Sequence, residues 1–371
     1  MMKRKYLAVL VSALLVSNVA NAVEIYNKDS NQLDLYGKVV GLNYISNNGA
    51  EHGDKSYARL GFKGATQMKG PLSGYGQWEY NLKTSTPESA PSGNATRLAF
   101  AGLRYADIGS FDYGRNFGVL YDVEAWTDVN PEFGGDSWAK TDNFMTGRAN
   151  NLATFRTNDL FGMVRDLKVA LQYQGKNEGD IKNKDRANAT ENGDGWGVSS
   201  SYDLGNGVSI AAAYAKSDRT DAQSADKNGQ FADAWTTGVK FDANSLYLAA
   251  MYAETRNMTP YGNKQFANKT QNIELVAQYQ FTNNLRPSIS YVQSTGKSLN
   301  KVADTTTDAN SFNGGQHALV KYVEVGTSYF FNKNMYTYID YKINLLKKDN
   351  YTRLANVNTD NVLGLGLVYQ F

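Results

Sequence analysis

Residues 361–371 read "NVLGLGLVYQF". Every second residue back from the last gives Phe371, Tyr369, Leu367, Leu365 and Leu363, a wholly apolar side with aromatics at its end. Between them stand Gln370, Val368, Gly366, Gly364 and Val362, which are small or mixed. A period of two marks a β-strand whose two faces meet different surroundings. The chain as a whole is polar, with a mean hydropathy of −0.50. Its last strand must therefore show its apolar face to something other than bulk water.

The alternation recurs. In "QNIELVAQYQF", Ile273, Leu275, Ala277, Tyr279 and Phe281 oppose Asn272, Glu274, Gln278 and Gln280. In "YARLGFKG", Leu60 and Phe62 oppose Arg59, Gly61 and Lys63. Sixteen such segments are predicted as strands: 33–44, 56–68, 73–84, 95–106, 109–115, 150–157, 167–176, 194–204, 207–217, 233–242, 245–255, 270–281, 285–296, 318–331, 335–344 and 361–371. Short turns such as "GN" (205–206) and "NKN" (332–334) alternate with long polar connections, of which 116–149 is the longest. That rhythm describes an up-and-down meander, and an even strand count leaves both ends on the short-turn side.

A soluble β-sandwich would also alternate, but three features favour a membrane barrel. Strands of about 10 residues, tilted, match a hydrocarbon layer. Aromatics such as Tyr279, Phe281, Tyr329, Phe331, Tyr369 and Phe371 sit at strand ends, where interfacial girdles belong. The terminal strand must pair, and pairing with the first strand removes both edges of the sheet. The predicted fold is an all-β, 16-stranded antiparallel up-and-down transmembrane β-barrel. A barrel that wide cannot be filled by side chains, so its interior is water, and something must narrow it.

The first 22 residues are read separately. They combine a basic start (Lys3, Arg4, Lys5), an apolar stretch and Ala20-Asn21-Ala22, the pattern of a secretory signal peptide. The expected organisation is a leader at 1–22 and one barrel domain at 23–371. Removing the three basic residues of the leader leaves 35 basic against 36 acidic residues, a formal charge of −1. That balance gives no support to a nucleic-acid partner. With no cysteine there is neither a disulfide framework nor a thiolate metal site. No cofactor or metal site is predicted. The two histidines, His52 and His317, lie in polar loop sequence with no nucleophile pattern beside them, so no enzyme is expected.

Connection 116–149 reads "NFGVLYDVEAWTDVNPEFGGDSWAKTDNFMTGRA". Loops this long are usually functional. Its centre carries Asp128, Glu132 and Asp136 around Pro131 and Gly134-Gly135, which shape a bend. Strand parity turns Lys38, Arg59 and Arg97 towards the lumen, the last because it opposes Leu98 and Phe100. Arg148 enters the strand after the loop, and Glu79 opposes Trp78 and Tyr80 and also points inward.

These stretches resemble the general, non-specific trimeric porins of the Gram-negative outer membrane, the OmpF/OmpC/PhoE type. The resemblance rests on "LDLYGK" (33–38), "YARLGFKG" (57–64), "GYGQWEYN" (74–81), "TRLAFAGLRYADIGSFDYGRN" (96–116), "PEFGGD" (131–136), "LRPSISY" (285–291), "YFFNKNM" (329–335) and the closing "YQF". It covers essentially all of 23–371. It implies a third loop folded into the barrel, with Asp128 and Glu132 facing Lys38, Arg59, Arg97 and Arg148 across a constriction and Glu79 close by. It implies a homotrimer in which the second loop reaches a neighbour, with Glu88 and Arg115 as the matching intersubunit pair. It implies contact with outer-membrane lipid and lipopolysaccharide. Two departures remove positive charge: Ala95 stands where many relatives carry a lysine, and Gly147 where the anion-preferring branch carries one. Lys140 offsets part of that loss.

The resulting expectation is a passive, size-limited pore for ions and small hydrophilic solutes, weakly cation-preferring. The alternative is a substrate-specific outer-membrane channel. That reading calls for an aromatic track, whereas lumenal aromatics such as Tyr336 and Tyr338 look scattered in the sequence.

Overall fold

The computed structural model describes residues 22–179, 186–262, 265–304, 307 and 310–371. The predicted leader, apart from Ala22, lies outside the described residues.

All sixteen predicted strands are present. The first eight are β1 Asn31–Ser46, β2 Tyr57–Gln67, β3 Leu72–Lys83, β4 Ala95–Tyr105, β5 Gly109–Phe117, β6 Arg148–Thr157, β7 Leu167–Gln174 and β8 Gly195–Gly205. The second eight are β9 Val208–Asp218, β10 Phe231–Ala243, β11 Leu246–Arg256, β12 Lys269–Tyr279, β13 Leu285–Leu299, β14 Gly315–Phe330, β15 Met335–Asn344 and β16 Val362–Gln370. Each pairs antiparallel with its sequence neighbours, and residues 38–46 of β1 pair with 362–370 of β16, which closes the barrel.

The seam holds a seventeenth strand that the alternation did not reveal. Val23–Lys28 pairs with residues 31–35 of β1 through a turn at Asp29-Ser30, both with positive φ (52° and 64°), as a tight hairpin requires. It follows on from β16 along one edge of β1. There Gly37 and Phe371 exchange two backbone hydrogen bonds of 3.0 Å. "VEIYNK" is polar enough to hide its pairing.

The two faces separate as expected. On β16, Leu367 and Tyr369 are about half exposed (48% and 50%), whereas Val368 is 1% exposed on the lumenal side. The small lumenal residues have a purpose: a Cβ on Gly366 would lie 2.1 Å from the Tyr338 ring. Outward aromatics form two girdles. The lower includes the ring pairs Tyr279–Phe281 and Tyr329–Phe331, and the upper Trp196–Tyr214 and Trp235–Tyr252. Between them lies an aliphatic band with exposed Leu275, Ile289 and Val325.

Arg97 reaches the lumen for a different reason from the one parity gave. Leu98 and Phe100 are themselves lumenal, opposite Glu79 and Gln77, and both are buried. The register shifts between Glu79 and Tyr80, whose partners are Leu98 and Thr96, so Arg97 is the extra residue of a β-bulge. A bulge puts two successive side chains on one side of a sheet.

Placing a charge in the aliphatic band tests this orientation. Leu275→Arg should lower unfolding stability by about 2–4 kcal/mol in lipid vesicles, measured by denaturant titration against Leu275→Ala. Equal stability of the two variants would remove β12 from the lipid.

Candidate functional site

The long loop comprises residues 118–147, between the end of β5 and the start of β6. It folds into the barrel because the wall supplies a smooth seat and then a row of acceptors. Leu120, Val123, Trp138, Phe144 and Met145 are buried against Ala211, Ala213, Ala215, Ala232, Ala234 and Ala253 of β9, β10 and β11. Larger lumenal side chains there would fill the seat. A Cβ on Gly197 would lie 2.6 Å from Val119, and one on Gly238 would lie 2.9 Å from Val123.

The foot of the loop is pinned by Gln172, whose amide accepts from the Val119 N–H and donates to the Phe117 carbonyl, both at 3.0 Å. Asp122, in the helical turn Tyr121–Glu124, accepts two hydrogen bonds from Arg156 at 2.8 and 3.1 Å. Further along, buried wall carboxylates accept from the loop. Glu274 takes Thr127 Oγ1 (2.7 Å) and the Ser137 N–H (2.9 Å). Glu324 takes Asn130 Nδ2 (2.6 Å), and Asp340 takes the N–H groups of Glu132 and Phe133 (3.2 and 3.3 Å). Glu124 is fully buried beside Glu274 and accepts from Trp138 Nε1 at 2.7 Å. Burial, reinforced by the Glu274 carboxylate, pushes the Glu124 carboxyl well above the ordinary carboxylate range.

The predicted wall residues gather on the opposite side. Glu79 lies 2.5 Å from Arg97 Nε and 3.8 Å from Arg59 Nε, and accepts from Tyr36 OH at 3.1 Å. Lys38 and Arg59 each lie over the ring of Tyr57, at 5.4 and 5.3 Å from its centre. Arg148 lies over Phe117 at 5.5 Å and donates to Thr141 Oγ1. Asp128 accepts from Tyr121 OH and stands in the fields of Arg148 and Arg97. Glu132, at the loop tip, accepts from Tyr44 OH and from Tyr338 OH. Among the described residues, neither Asp128 nor Glu132 forms an ion pair with Lys38, Arg59, Arg97 or Arg148. The charges oppose one another without touching.

Glu88 is exposed in the second loop. Arg115, at the upper end of β5, is already engaged within the chain: it pairs with Asp142 through two hydrogen bonds of 2.7 and 2.9 Å and donates to the Thr96 carbonyl.

Three features escaped the sequence reading. One is the set of wall acids beneath the loop. Another is the tyrosines, which are not scattered: Tyr336, Tyr338, Tyr44, Tyr57 and Phe330 form one lumenal cluster around Val40, Leu42 and Val368. Tyr336 and Tyr338 are buried there, and the cluster seats the loop tip. The third is Lys342 on β15. Its ammonium lies 3.7 Å from Asp136, 4.1 Å from the Tyr322 ring centre and 5.6 Å from that of Phe133. Parity alone marks Lys342 as lumenal, since it alternates with Asp340 and Tyr338.

Comparison with known proteins agrees with this geometry. The family model described as Gram-negative porin matches residues 28–371. Outer membrane protein F of Serratia marcescens and outer membrane porin N of Escherichia coli K12 are each 56% identical, with both chains fully covered. The solved Salmonella typhi OmpF in complex with daunomycin superposes with a TM-score of 0.84 at 47% identity, covering 94% of this chain and all of that one.

Lys342 offers a direct test of the loop's electrostatics. Lys342→Met removes the cation beside Asp136 and keeps most of the side-chain bulk. The zero-current potential across a salt gradient should move towards cations. The shift should be greatest in dilute salt, where the Debye length reaches about 30 Å at 0.01 M. No change would mean that passing ions do not feel Asp136.

Proposed function

Because this chain belongs to the Gram-negative porins, passive diffusion channels of the outer membrane, we propose that its weak charge selectivity is set where the inward loop faces the arginine wall. One observation carries the proposal: Asp128 and Glu132 are held by tyrosine hydroxyls and, among the described residues, form no ion pair with Lys38, Arg59, Arg97 or Arg148. Opposed fixed charges across a gap make a transverse field. At 4 Å, two unit charges interact by about 1 kcal/mol in bulk water and about 4 kcal/mol at an effective dielectric constant of 20. Confinement therefore strengthens the field where the passage is narrowest. Polar solutes align in it, and apolar ones must displace oriented water. No solute is held tightly and no bond is made.

The preference is weakly cationic. Ala95 and Gly147 leave out two lumenal lysines, and Glu79 offsets part of the charge on Arg97 and Arg59. A substrate-specific channel gains nothing from the tyrosine cluster. Phe133 of the loop tip packs against the Tyr44 ring, and the Tyr44 and Tyr338 hydroxyls are spent on Glu132.

The active form is a homotrimer in lipopolysaccharide-rich membrane, with Glu88 of one subunit meeting Arg115 of the next. Arg115 arrives already neutralised by Asp142, so the added contact is a latch worth at most about 1 kcal/mol. Glu88→Ala should leave heat-resistant trimers on native gels. Dissociation of that variant under mild conditions would give the latch a far larger part.

The selectivity proposal is tested by Asp128→Asn with Glu132→Gln. Two negative charges disappear at nearly constant volume. The zero-current potential should swing from weakly cationic towards anions, most strongly in dilute salt, while conductance in concentrated salt changes little. An unchanged potential in dilute salt would place these carboxylates away from the narrow part of the passage.

A further inference from the structure

The two histidines have no part in the channel, and their partners call for different proton states. The Ser46 N–H donates to His52 Nδ1 at 3.3 Å, so that nitrogen carries no proton. His317, at the start of β14, faces acceptors on both sides: the Ala318 carbonyl at Nδ1 and Asp349 Oδ2 at Nε2, each at 2.8 Å. A neutral imidazole has one N–H and can satisfy only one of them, leaving lone pairs opposed at the other. The imidazolium satisfies both.

The carboxylate that His317 meets also holds a second element. Asp349 is the N-cap of the helical turn Asn350–Leu354: its Oδ1 accepts from the Thr352 N–H at 3.1 Å while its Oδ2 faces His317. That turn lies in the connection 345–361 between β15 and β16. Two further ties fasten it. Tyr351 is buried among Tyr261, Leu299 and Leu319, and Arg353 donates to Asp304 of the connection 300–314 at 2.7 Å. The His317 ring packs against those of Tyr351 and Phe312, 4.4 and 5.5 Å away between centres.

Protons can reach this contact. The His317 side chain is 17% exposed and lines an open groove together with Lys321, Lys347 and Asp349. The two lysines oppose another positive charge beside them, as does Lys297 of β13, which donates to Gln316; the Asp349 carboxylate favours one. The remaining charges nearby are paired, Asp304 with Arg353 and Asp360 with Lys348. Partial burial opposes the charge on Asp349, but the bonds from His317 and the Thr352 N–H outweigh it and hold the carboxyl below its ordinary range. A depressed carboxyl contributes stability above its titration and loses it as the pH falls through that point, so the acid limit lies below the usual carboxylate range. The alkaline limit is loss of the second imidazole proton, which the unperturbed side chain undergoes at about pH 6.5.

We propose that His317 and Asp349 form a proton-operated latch at the outer end of the barrel. With both ring nitrogens protonated, the connection 345–361 is fastened to the start of β14 through the cap of its own helical turn. When the ring gives up a proton, one hydrogen bond and the charge pair are lost together, and the turn is left on Tyr351 and Arg353. Of the three ties, only this one titrates near neutrality. The latch rests on the outer-membrane reading above, which exposes these connections to external pH, but not on the constriction.

The test follows backbone amide exchange in peptides covering 350–357 of the full protein in detergent, corrected for the intrinsic pH dependence of exchange. There the Ala355 and Val357 N–H groups donate to the carbonyls of Tyr351 and Thr352. Between about pH 5.5 and about pH 8.5, a span that brackets histidine titration, wild-type protection should fall about tenfold through local opening. His317→Gln should show the alkaline level at both pH values. Asp349→Asn keeps a side chain that caps helices equally well, so the turn should persist while its pH dependence disappears. His52→Gln should behave as the wild type. Flat wild-type protection overturns the proposal, and so does a pH dependence that survives in His317→Gln or vanishes in His52→Gln. Should His317→Gln fail to assemble, Asp349→Asn decides in its place, and persistence of the pH dependence there overturns the latch. Conductance of the same preparations should match the wild type, and a change would overturn the claim that the latch acts apart from the constriction.

Discussion

In hydrocarbon, every backbone N–H and C=O has to find its partner within the protein. The pairing of residues 38–46 with 362–370 is where this chain meets that demand last. Once the first and last strands join, no edge remains, and everything else follows from the cylinder they make. Sixteen strands enclose more space than side chains can fill. The interior is therefore wet, the lumenal face is free to be polar, and a segment long enough to cross the lumen can be stored inside it.

That segment is held chiefly by directed bonds. Its apolar foot sits on alanines of β9, β10 and β11. Beyond Trp126 it relies on acceptors projecting from the wall: Glu274, Glu324 and Asp340 take N–H and O–H groups that a loop inside a barrel could otherwise satisfy only with water. Buried carboxylates are costly unless fully hydrogen-bonded or neutral. Glu274 accepts one hydrogen bond from the loop on each oxygen, and burial raises the Glu124 carboxyl well above its ordinary range, which favours its neutral form. Arg59, Arg97 and Arg148 are a like-charged cluster with little local compensation beyond Glu79. Such a cluster is tolerable beside water and with an opposed acidic strand of chain nearby.

Period-two alternation carried most of the fold because each strand has lipid on one side and water or loop on the other, so every side chain reports its face. It failed where that contrast fades. The Val23–Lys28 arm carries too little apolar character for pairing to show. At Arg97 a bulge broke parity, and the inward assignment survived only because the bulge also made the residue lumenal. The wall cations and the loop acids were legible as types on strands and in a long loop. Their partners were not. Thr127 meets Glu274, Glu132 meets Tyr338 and Asp136 meets Lys342 across nearly half the chain or more, and no local pattern encodes which side of a cylinder a loop will touch. The tyrosines looked dispersed for the same reason. They come from β1, β2 and β15, and β15 approaches the other two only through the seam.

The inward loop is also a mechanical member. A hollow tube of paired strands is stiff along its axis and soft to ovalisation. This loop is a chord, fixed at Gln172 and Arg156 on one wall and at Asp340 and Tyr338 on another. Squeezing along the chord loads those bonds, whereas squeezing across it meets only the flexing of the sheet. The cross-section is therefore anisotropic in stiffness. The gap beside the chord, where Asp128 looks towards Arg97 and Arg148, is the dimension that lateral membrane pressure can most readily alter.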